Sequence, residues 1–409
     1  MNQTIRSFIA KIPLVKPLYH ALKRRRDERR IRCEQAKLRK NQPITKQGTQ
    51  ECFDDMPLKV HWELTEACNY RCSYCFNKFM GYKNVFCTLE EAEAAVKHLA
   101  MANRPSYQVS LLGGEPTLHP YLSEIIAFLS DSLGKRLEKI SIITNGSFND
   151  KTMEAMLMAT TKTCIEVKVS LHFEFLQMER IKEIIERMSK DVSLVFLVMV
   201  HPKLFEKVKS AVDELCELRH NYPFDIAIKL IRDVNKESHL EELYTSDHYK
   251  WAEDVRARFK EIAQKTNLKG PAIPREVGWE FVLEGRVEGK MVTEKNVSTD
   301  ELVKKTNCRF LGLFCSVGTS VIDIKPNGTT RGLVCNLAND KFNIYKENPF
   351  RKDGIIIKTI QCTKERCNCN VDWRVPKFKS ASEAEEFIKM CRSKQQQLIE
   401  SSPLYDAAI

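Results

Sequence analysis

Three cysteines, Cys68, Cys72 and Cys75, lie close together in the segment "HWELTEACNYRCSYCFNKF". Three residues separate the first two and two separate the last pair, with Tyr74 directly before the third. Three thiolates on one short loop can bind three irons of a [4Fe–4S] cluster and leave the fourth iron open. A structural zinc site needs a fourth protein ligand, and no fourth Cys or His is close in the sequence. Zinc and simple burial of the thiols remain alternatives at this point.

The chain around this loop alternates between strand and helix patterns. Apolar runs typical of strands cover 58–65, 107–114, 139–147, 164–174, 192–202 and 224–233. Between them, apolar residues recur at helical spacing, and the first such segment has Thr88 as a predicted N-cap. Six strands that alternate with helices predict a parallel sheet with right-handed crossovers, whose ligands bind at the C-terminal ends of the strands.

Short polar motifs fall at three successive strand ends. Residues 113–116 (Gly-Gly-Glu-Pro) end the second strand, 144–146 (Thr-Asn-Gly) the third and 170–172 (Ser-Leu-His) the fourth. A double glycine lets backbone approach a ligand closely, and a glutamate before proline offers an acceptor on a rigid turn. Each motif alone is typical of a turn. Three in succession beside a cysteine loop favour a binding site.

The cysteine spacing, Tyr74 and the GGEP turn resemble the radical S-adenosylmethionine (radical SAM) superfamily over about residues 58–235. The resemblance implies an α/β fold with a partial (β/α)6 TIM-like barrel. It also implies that Cys68, Cys72 and Cys75 bind a [4Fe–4S] cluster whose open iron binds S-adenosylmethionine.

The same resemblance implies contacts with S-adenosylmethionine. Tyr74 would lie near the adenine, Ser170 near the ribose, and Gly113, Gly114 and Glu115 at the methionine amino group. Asn145 and His172 are further candidates for cofactor binding. Lys229 and Arg232 lie near the end of the sixth strand, where solvated charges are the favoured interpretation and pairing with a carboxylate is the alternative.

A second cysteine group lies near the C-terminus and comprises Cys308, Cys315, Cys335, Cys362, Cys367 and Cys369. The segment 319–334 predicts a strand, a Pro-Asn-Gly turn and a strand, which would bring Cys315 near Cys335. The group resembles the SPASM or twitch extension of radical SAM enzymes, with fewer cysteines than full SPASM. The resemblance implies one auxiliary [4Fe–4S] cluster bound by Cys315, Cys335, Cys367 and Cys369, with Cys362 as the alternate and Cys308 structural. Zinc is the competing metal.

The net charge of +11 comes from the N-terminal arm, since residues 1–40 hold thirteen Lys or Arg and three Asp or Glu. A solvated arm is the first interpretation of this basic run, and docking on an anionic membrane surface is the next, because apolar residues lie beside the Lys and Arg cluster. Nucleic-acid binding is disfavoured because no aromatic residues interleave the basic run. Clustered cysteines without a secretory signal favour a cytoplasmic protein, peripheral on the inner membrane surface if the arm docks there.

These patterns divide the chain into a basic arm and linker (1–57), the barrel (58–235), a helix and hairpin connector (236–300), a small cysteine-rich β-hairpin and helix domain (301–375) and a C-terminal helix (376–409). The connector is predicted to contain one long helix over 241–265 and a hairpin that turns at Glu284-Gly285.

The predicted activity is reductive cleavage of S-adenosylmethionine to a 5′-deoxyadenosyl radical, which abstracts hydrogen from an unactivated C–H bond. The predicted substrate is a cell-envelope glycan or lipid, or a small metabolite, and the reductant is a flavodoxin or ferredoxin. A SPASM-type peptide or protein maturase is the first alternative, and a non-catalytic iron–sulfur electron-transfer protein is the second.

Overall fold

The computed structural model describes residues 44–46, 57–75, 81, 83–231, 240–274, 281–287, 290–297, 310–332, 335, 337, 342–350, 356–364, 367 and 375–402. The basic arm over 1–40, Arg232, Cys308 and Cys369 lie outside these residues, and the predictions made for them stay predictions. Strand β1 (Ile44–Lys46) falls inside the predicted linker. No helix in the described part of the chain is long and apolar enough to cross a membrane.

Six parallel strands form the centre of the fold and neighbour one another in the order of the chain. They are β2 (Leu58–Thr65), β3 (Tyr107–Gly113), β4 (Leu137–Thr144), β5 (Cys164–Leu171), β6 (Ser193–Val200) and β7 (Asp225–Leu230). The register continues from strand to strand, with Ile142 opposite Val167 and Val167 opposite Leu194. The predicted partial barrel of alternating strands and helices is confirmed.

One helix connects each pair of neighbouring strands. These helices are α1 (Leu89–Met101), α2 (Leu122–Leu133), α3 (Asp150–Ala159), α4 (Met178–Met188) and α5 (Phe205–Arg219). Helix α1 begins as predicted, because Thr88 and Glu91 form a capping box that satisfies two backbone N–H groups. Helix α2 ends at Gly134, whose φ of 51° a glycine adopts without strain.

The two faces of the sheet differ in burial. In β2, Leu58, Val60, Trp62 and Leu64 are fully buried on one face, while residues 59, 61 and 63 are half-buried on the other. Alternation with period two is typical of a sheet that packs helices on one side only. The half-buried face therefore faces the inside of the partial barrel, where a ligand can enter.

Among the residues described after β7, two α-helices are present. The predicted long helix is shorter than expected, because a 3-10 turn at Glu241–Leu243 precedes α6 (Ser246–Thr266) and Thr245 caps its start. The predicted C-terminal helix is confirmed as α7 (Ala381–Glu400). It packs on the end of α1, where the Gln395 side chain donates to the carbonyl of Ala102 at 2.7 Å.

The predicted hairpin of the connector is present, but its predicted turn is wrong. Strands β8 (Phe281–Val287) and β9 (Lys290–Val297) pair with Val287 opposite Lys290. Glu284-Gly285 therefore lies inside β8. The sequence repeats Glu-Gly four residues later, and only the pairing of the strands distinguishes the two dipeptides. Strand β8 also pairs with β1.

The remaining strands are β10 (Phe314–Val317), β11 (Val321–Ile324), β12 (Thr329–Arg331), β13 (Phe342–Asn343), β14 (Lys358–Gln361) and β15 (Lys377–Phe378). The predicted hairpin over 319–334 is confirmed as β11 and β12, which pair with Asp323 opposite Arg331. Its placement was not predicted. Strand β11 pairs in parallel with β2, so this hairpin extends the barrel sheet. Strands β14, β10 and β15 form a separate small sheet.

Candidate functional site

The cysteine loop, residues 68–75, follows the C-terminal end of β2. The Thr65 hydroxyl accepts the backbone N–H of Ala67 at 2.9 Å and starts the turn out of the strand. A second turn brings the N–H of Cys75 to the carbonyl of Cys72 at 3.1 Å. The side chain of Cys72 is buried, and those of Cys68 and Cys75 are half-buried.

Burial and repulsion between thiolates raise the pKa of Cys72 and of Cys68, which keeps these two thiols protonated in the metal-free protein. Burial first, and then the charges of Cys75 and Glu174, raise the pKa of Cys72 to about 12. Burial, with smaller effects from Glu115 and Cys75, also raises the pKa of Cys68. The thiols are therefore close enough to affect one another's ionisation. Iron must displace their protons when it binds, as in other thiolate sites.

The Gly-Gly pair of the GGEP turn packs against the start of the cysteine loop. Backbone N–H groups of Gly114 and Glu115 donate to the carbonyls of Thr65 and Ala67, each at 2.7 Å. A Cβ added to Gly114 would lie 2.1 Å from the carbonyl oxygen of Ala67. Gly113 has a φ of +142°, and a Cβ there would lie 2.2 Å from the carbonyl oxygen of Thr65. The glycines are required here by close backbone packing.

The carboxylate of Glu115 braces two strand ends. It accepts hydrogen bonds from the backbone N–H and hydroxyl of Thr117, at 3.1 and 2.6 Å. It also accepts from the Thr144 hydroxyl and the Asn145 backbone N–H, each at 2.7 Å. The residue is fully buried, and burial raises its pKa while the hydrogen bonds oppose that shift. The predicted contact with the methionine amino group stays a prediction.

Asn145 links the end of β4 to the cysteine loop. Its side-chain amide donates to Asn69 Oδ1 at 2.8 Å and lies 3.9 Å from Cys68 Sγ. Asn69 in turn donates to the hydroxyl of Ser147 at 2.7 Å. Asn69 and Ser147 were missed by the sequence analysis, although both flank motifs that it identified.

His172, at the end of β5, contacts the aromatic residue of the loop. Its Nδ1 lies 2.8 Å from the hydroxyl of Tyr74. Burial lowers the pKa of His172 to about 4, so the ring is neutral at physiological pH and one of its nitrogens can accept. Tyr74 is thus anchored at its hydroxyl end, beside the rings of His172 and His201.

Two of the three strand-end motifs, those that end β4 and β5, meet around a cavity of about 310 Å³, whereas the GGEP turn contributes no residue to its lining. Its wall includes Asn145, Ser170 and His172, all three predicted from the sequence, together with Asn69 and Tyr70 of the cysteine loop. The remaining wall comes from residues that the sequence analysis did not identify, which are Gly146, Ser147, Leu176, Gln177, Arg180 and Ile181. The structure therefore brings together residues from β2, β4 and β5 that are distant in sequence.

Three of the C-terminal cysteines lie near the small sheet of β14, β10 and β15. Cys315 in β10 lies opposite Ile360 of β14, two residues before Cys362, so both cysteines fall on one face of that ladder. Both are buried. The pKa of Cys362 is raised by burial and, less strongly, by the charge of Cys335, while the charge of Lys377 lowers it. Cys362, the predicted alternate ligand, is therefore close to Cys335 and on the same face as Cys315. Cys367 is half-buried.

Within the described residues, no three side chains of His, Cys, Asp or Glu are grouped so that they could hold a single metal ion. A [4Fe–4S] cluster does not require its ligands to converge on one ion, because each thiolate binds a different iron. The cysteine loop offers three mutually interacting thiols of that kind beside the cavity. These residues fit a cluster that keeps one iron open.

Residues 62–173 match the family described as the radical SAM superfamily. This chain carries a radical SAM domain. The matched region contains the cysteine loop, the GGEP turn, Asn145, Ser170 and His172. Enzymes of this family use S-adenosylmethionine and a [4Fe–4S] cluster, and they require a reductant and a substrate.

Curated relatives resemble this chain over the same core. An S-adenosylmethionine-dependent nucleotide dehydratase of Selenomonas ruminantium is 34% identical over 110 residues, which cover 26% of this chain and 38% of the relative. A GTP 3′,8-cyclase of Stenotrophomonas maltophilia is 41% identical over 88 residues, covering 20% of this chain and 25% of the relative. The alignments thus span 38% and 25% of the lengths of these two relatives.

Solved structures with similar folds include SuiB of Streptococcus suis bound to S-adenosylmethionine, with a TM-score of 0.47, 16% identity and coverage of 74% of this chain and 67% of that one. Another is anSMEcpe with bound S-adenosylmethionine, with a TM-score of 0.48, 16% identity and coverage of 86% and 98%.

Proposed function

We propose that this chain cleaves S-adenosylmethionine reductively and uses the product radical to abstract a hydrogen atom from an unactivated C–H bond of its substrate. The observation that carries this proposal is the cavity beside the cysteine loop, lined by Asn145, Ser170 and His172 from two further strand ends. A non-catalytic electron-transfer protein would need the loop but not this cavity.

The chain's own residues would hold the cluster and orient the cofactor. Cys68, Cys72 and Cys75 would bind three irons, and the cluster when bound supplies the electron that breaks the carbon–sulfur bond of S-adenosylmethionine. The open iron would take the amino and carboxylate groups of the cofactor, next to the GGEP turn. Since Glu115 and the glycines fix that turn against the loop, the turn would offer the methionine moiety a preformed binding position.

Polar groups in the cavity suit the adenosine moiety. Ser170 is half-buried on its wall and would hydrogen-bond a ribose hydroxyl, while Tyr70 and His172 offer ring surfaces to the adenine. Tyr74 itself is held by His172, which places its ring beside the pocket. Enclosure of the cofactor between loop and strand ends would exclude water from the reacting carbon.

A small metabolite is the substrate class that the relatives favour. The two relatives named above act, by their names, on a nucleotide and on GTP. The inner face of the sheet is polar and charged, with Lys168 and Lys139 at 3.0 and 3.2 Å from Glu166. A polar small molecule would suit that surface better than an apolar chain.

We further propose one auxiliary cluster near the small sheet, with Cys315, Cys335 and Cys362 as its first ligands. The proximity of Cys335 to Cys362 and the shared face of Cys315 and Cys362 support this choice. The positive charge of buried Lys377 beside Cys362 would favour thiolates there. Cys367 and Cys369 complete the candidate set.

Anaerobic reconstitution with iron and sulfide, followed by S-adenosylmethionine and dithionite, tests the activity. We expect 5′-deoxyadenosine and methionine from the wild-type chain and none from Cys72→Ala. Cys216→Ala, which removes a buried thiol of helix α5, serves as the matched control and should retain the activity. A wild-type chain that holds an intact cluster yet forms no 5′-deoxyadenosine would reject the proposed function.

A further inference from the structure

We propose that Glu174 is a positioning residue that fastens the cysteine loop to the end of β5 and makes the bound cluster harder to reduce. This inference rests on the proposed function, since it concerns the cluster that Cys68, Cys72 and Cys75 would bind. Glu174 itself was not identified from the sequence, where Phe-Glu-Phe after the fourth strand has no evident chemistry.

Residues 172–175 form a tight turn after β5 that we call the clasp, closed by the N–H of Phe175 donating to the carbonyl of His172 at 2.8 Å. The clasp contacts the cysteine loop through three of its four side chains. His172 meets Tyr74, Glu174 meets Ser73 and Phe175 stacks on Tyr70 with ring centroids 4.8 Å apart. The contacted residues all lie between the metal-binding cysteines.

Glu174 makes the central contact of the clasp. One carboxylate oxygen accepts the backbone N–H of Ser73 at 2.8 Å, and the other accepts the Ser73 hydroxyl at 2.5 Å. Two hydrogen bonds from one residue fix both the position and the rotation of the Cys72–Cys75 turn. The Glu174 side chain is 22% exposed and Ser73 is exposed, so the pair lies where the loop meets solvent.

His201 encloses the carboxylate from a second side. Its Nε2 lies 3.5 Å from Glu174, its side chain is 5% exposed and its ring packs against Tyr74. Within the described residues, neither ring nitrogen of His201 makes a hydrogen bond. The ring thus fills the space behind the clasp, which limits the positions that Glu174 can adopt.

A carboxylate is an unfavourable neighbour for thiolates, and Glu174 is held one residue from Cys72 by its two hydrogen bonds to Ser73. The charge of Glu174 contributes to the raised pKa of Cys72, after burial and the charge of Cys75. A glutamine could accept from Ser73 without that repulsion. The negative charge therefore calls for a reason other than holding the loop.

Control of the reduction potential of the cluster would explain why the residue beside Ser73 carries a negative charge. Net charge near a cluster and hydrogen bonds to its sulfurs set its reduction potential. Reduction adds negative charge, which a nearby carboxylate opposes. Glu174 also occupies the N–H of Ser73, which would otherwise be available to a cluster sulfur and would ease reduction. Both effects shift the potential in the same, more negative direction.

The test uses the full chain reconstituted anaerobically and follows iron content, iron loss to a chelator and the cluster midpoint potential. The potential is measured from the reduced-cluster EPR signal that a Cys68→Ala variant lacks. The variants are Glu174→Gln, which keeps one acceptor without the charge, and Glu174→Ala, which removes both. Glu179→Gln is the matched control, since Glu179 lies in the first turn of α4 and its side chain is 87% exposed.

We expect Glu174→Gln to keep its iron and to have a less negative midpoint potential than the wild type. In Glu174→Ala the midpoint potential should shift in the same direction. This variant should also lose iron to the chelator about 10- to 100-fold faster, as when other residues that support metal ligands through hydrogen bonds are removed. Glu179→Gln should match the wild type in both measurements.

Equal potentials in the wild type and Glu174→Gln, with unchanged iron loss in Glu174→Ala, would overturn the inference. These readouts do not depend on turnover. A chain that holds its cluster but forms no 5′-deoxyadenosine would fail the proposed function, while its potentials would still decide the role of Glu174. Failure of the wild type to take up iron at the loop would reject both.

Discussion

Replacement of Glu115 by alanine should destabilise the protein severely, because the carboxylate accepts hydrogen bonds from two buried donors at the end of β4. These are the hydroxyl of Thr144, which is 2% exposed, and the backbone N–H of Asn145, which is 8% exposed as a residue. The two donors on Thr117 are half-buried and can bond to water instead.

The magnitude follows from the number of donors left without an acceptor. A buried donor that loses its partner costs about 1–3 kcal/mol, so two of them predict a loss of roughly 2–6 kcal/mol in the free energy of unfolding. Glu115→Gln should lower the free energy of unfolding by less, about 1–3 kcal/mol. One side-chain oxygen remains as an acceptor, so only one buried donor faces the new NH₂ group. The amide also removes the cost of burying a charge.

Guanidinium denaturation of the metal-free chain, followed by far-UV circular dichroism, measures these differences. Glu154→Ala is the matched control, since Glu154 is exposed on α3 and its loss should change the stability by no more than about 0.5 kcal/mol. If Glu115→Ala unfolds with the same free energy as Glu154→Ala, the four hydrogen bonds do not brace the strand ends and the argument is wrong.

Two further predictions concern a thiol and a histidine. The first starts from a chain whose three loop cysteines are replaced, and there Cys362→Ala should abolish the remaining iron. The control Cys391→Ala, at a buried thiol of α7, should keep about four irons per chain. Equal iron contents in the two variants would exclude Cys362 as a ligand. His119 accepts the N–H of Tyr121 at Nδ1, and burial lowers its pKa to about 4, below the ordinary value near 6.5. The unfolded chain therefore binds more protons between these values, and His119 should destabilise the fold by up to roughly 3 kcal/mol as the pH falls from 6.5 to 4. Thermal unfolding of His119→Gln across that range should show a weaker pH dependence than the wild type, and an identical dependence would contradict the assignment.

The architecture of the barrel was predictable because its signals are local. Each strand is an apolar run of ordinary length, and caps such as Thr88 and Gly134 stand where the helices begin and end. Parallel strands share one C-terminal edge, so motifs at successive strand ends had to meet. The shared edge therefore predicts that Asn145, Ser170 and His172 lie close together, and all three line one cavity.

The contacts within the site were not predictable, because they join residues that are distant in sequence. Ser73 and Glu174 are 101 residues apart, and no pattern in either segment specifies the pair. The parallel pairing of β11 with β2 joins segments still further apart. The predicted turn of the β8–β9 hairpin was wrong for a related reason. The two Glu-Gly dipeptides have an equal local preference for a turn, and only the strand register shows that the first of them lies inside β8.

The cysteine loop is too short to fix its own geometry, and this explains why so many contacts converge on it. Its internal backbone bonds are few, whereas β3 supports it through Gly114 and Glu115, β4 through Asn145, and β5 through the clasp. Three thiols that repel one another when ionised would move apart on a free loop. The sheet prevents this, because each neighbouring strand end contacts a different part of the loop. Loss of one support should therefore weaken cluster binding only partly. Keeping the fourth iron open should require all of these supports together.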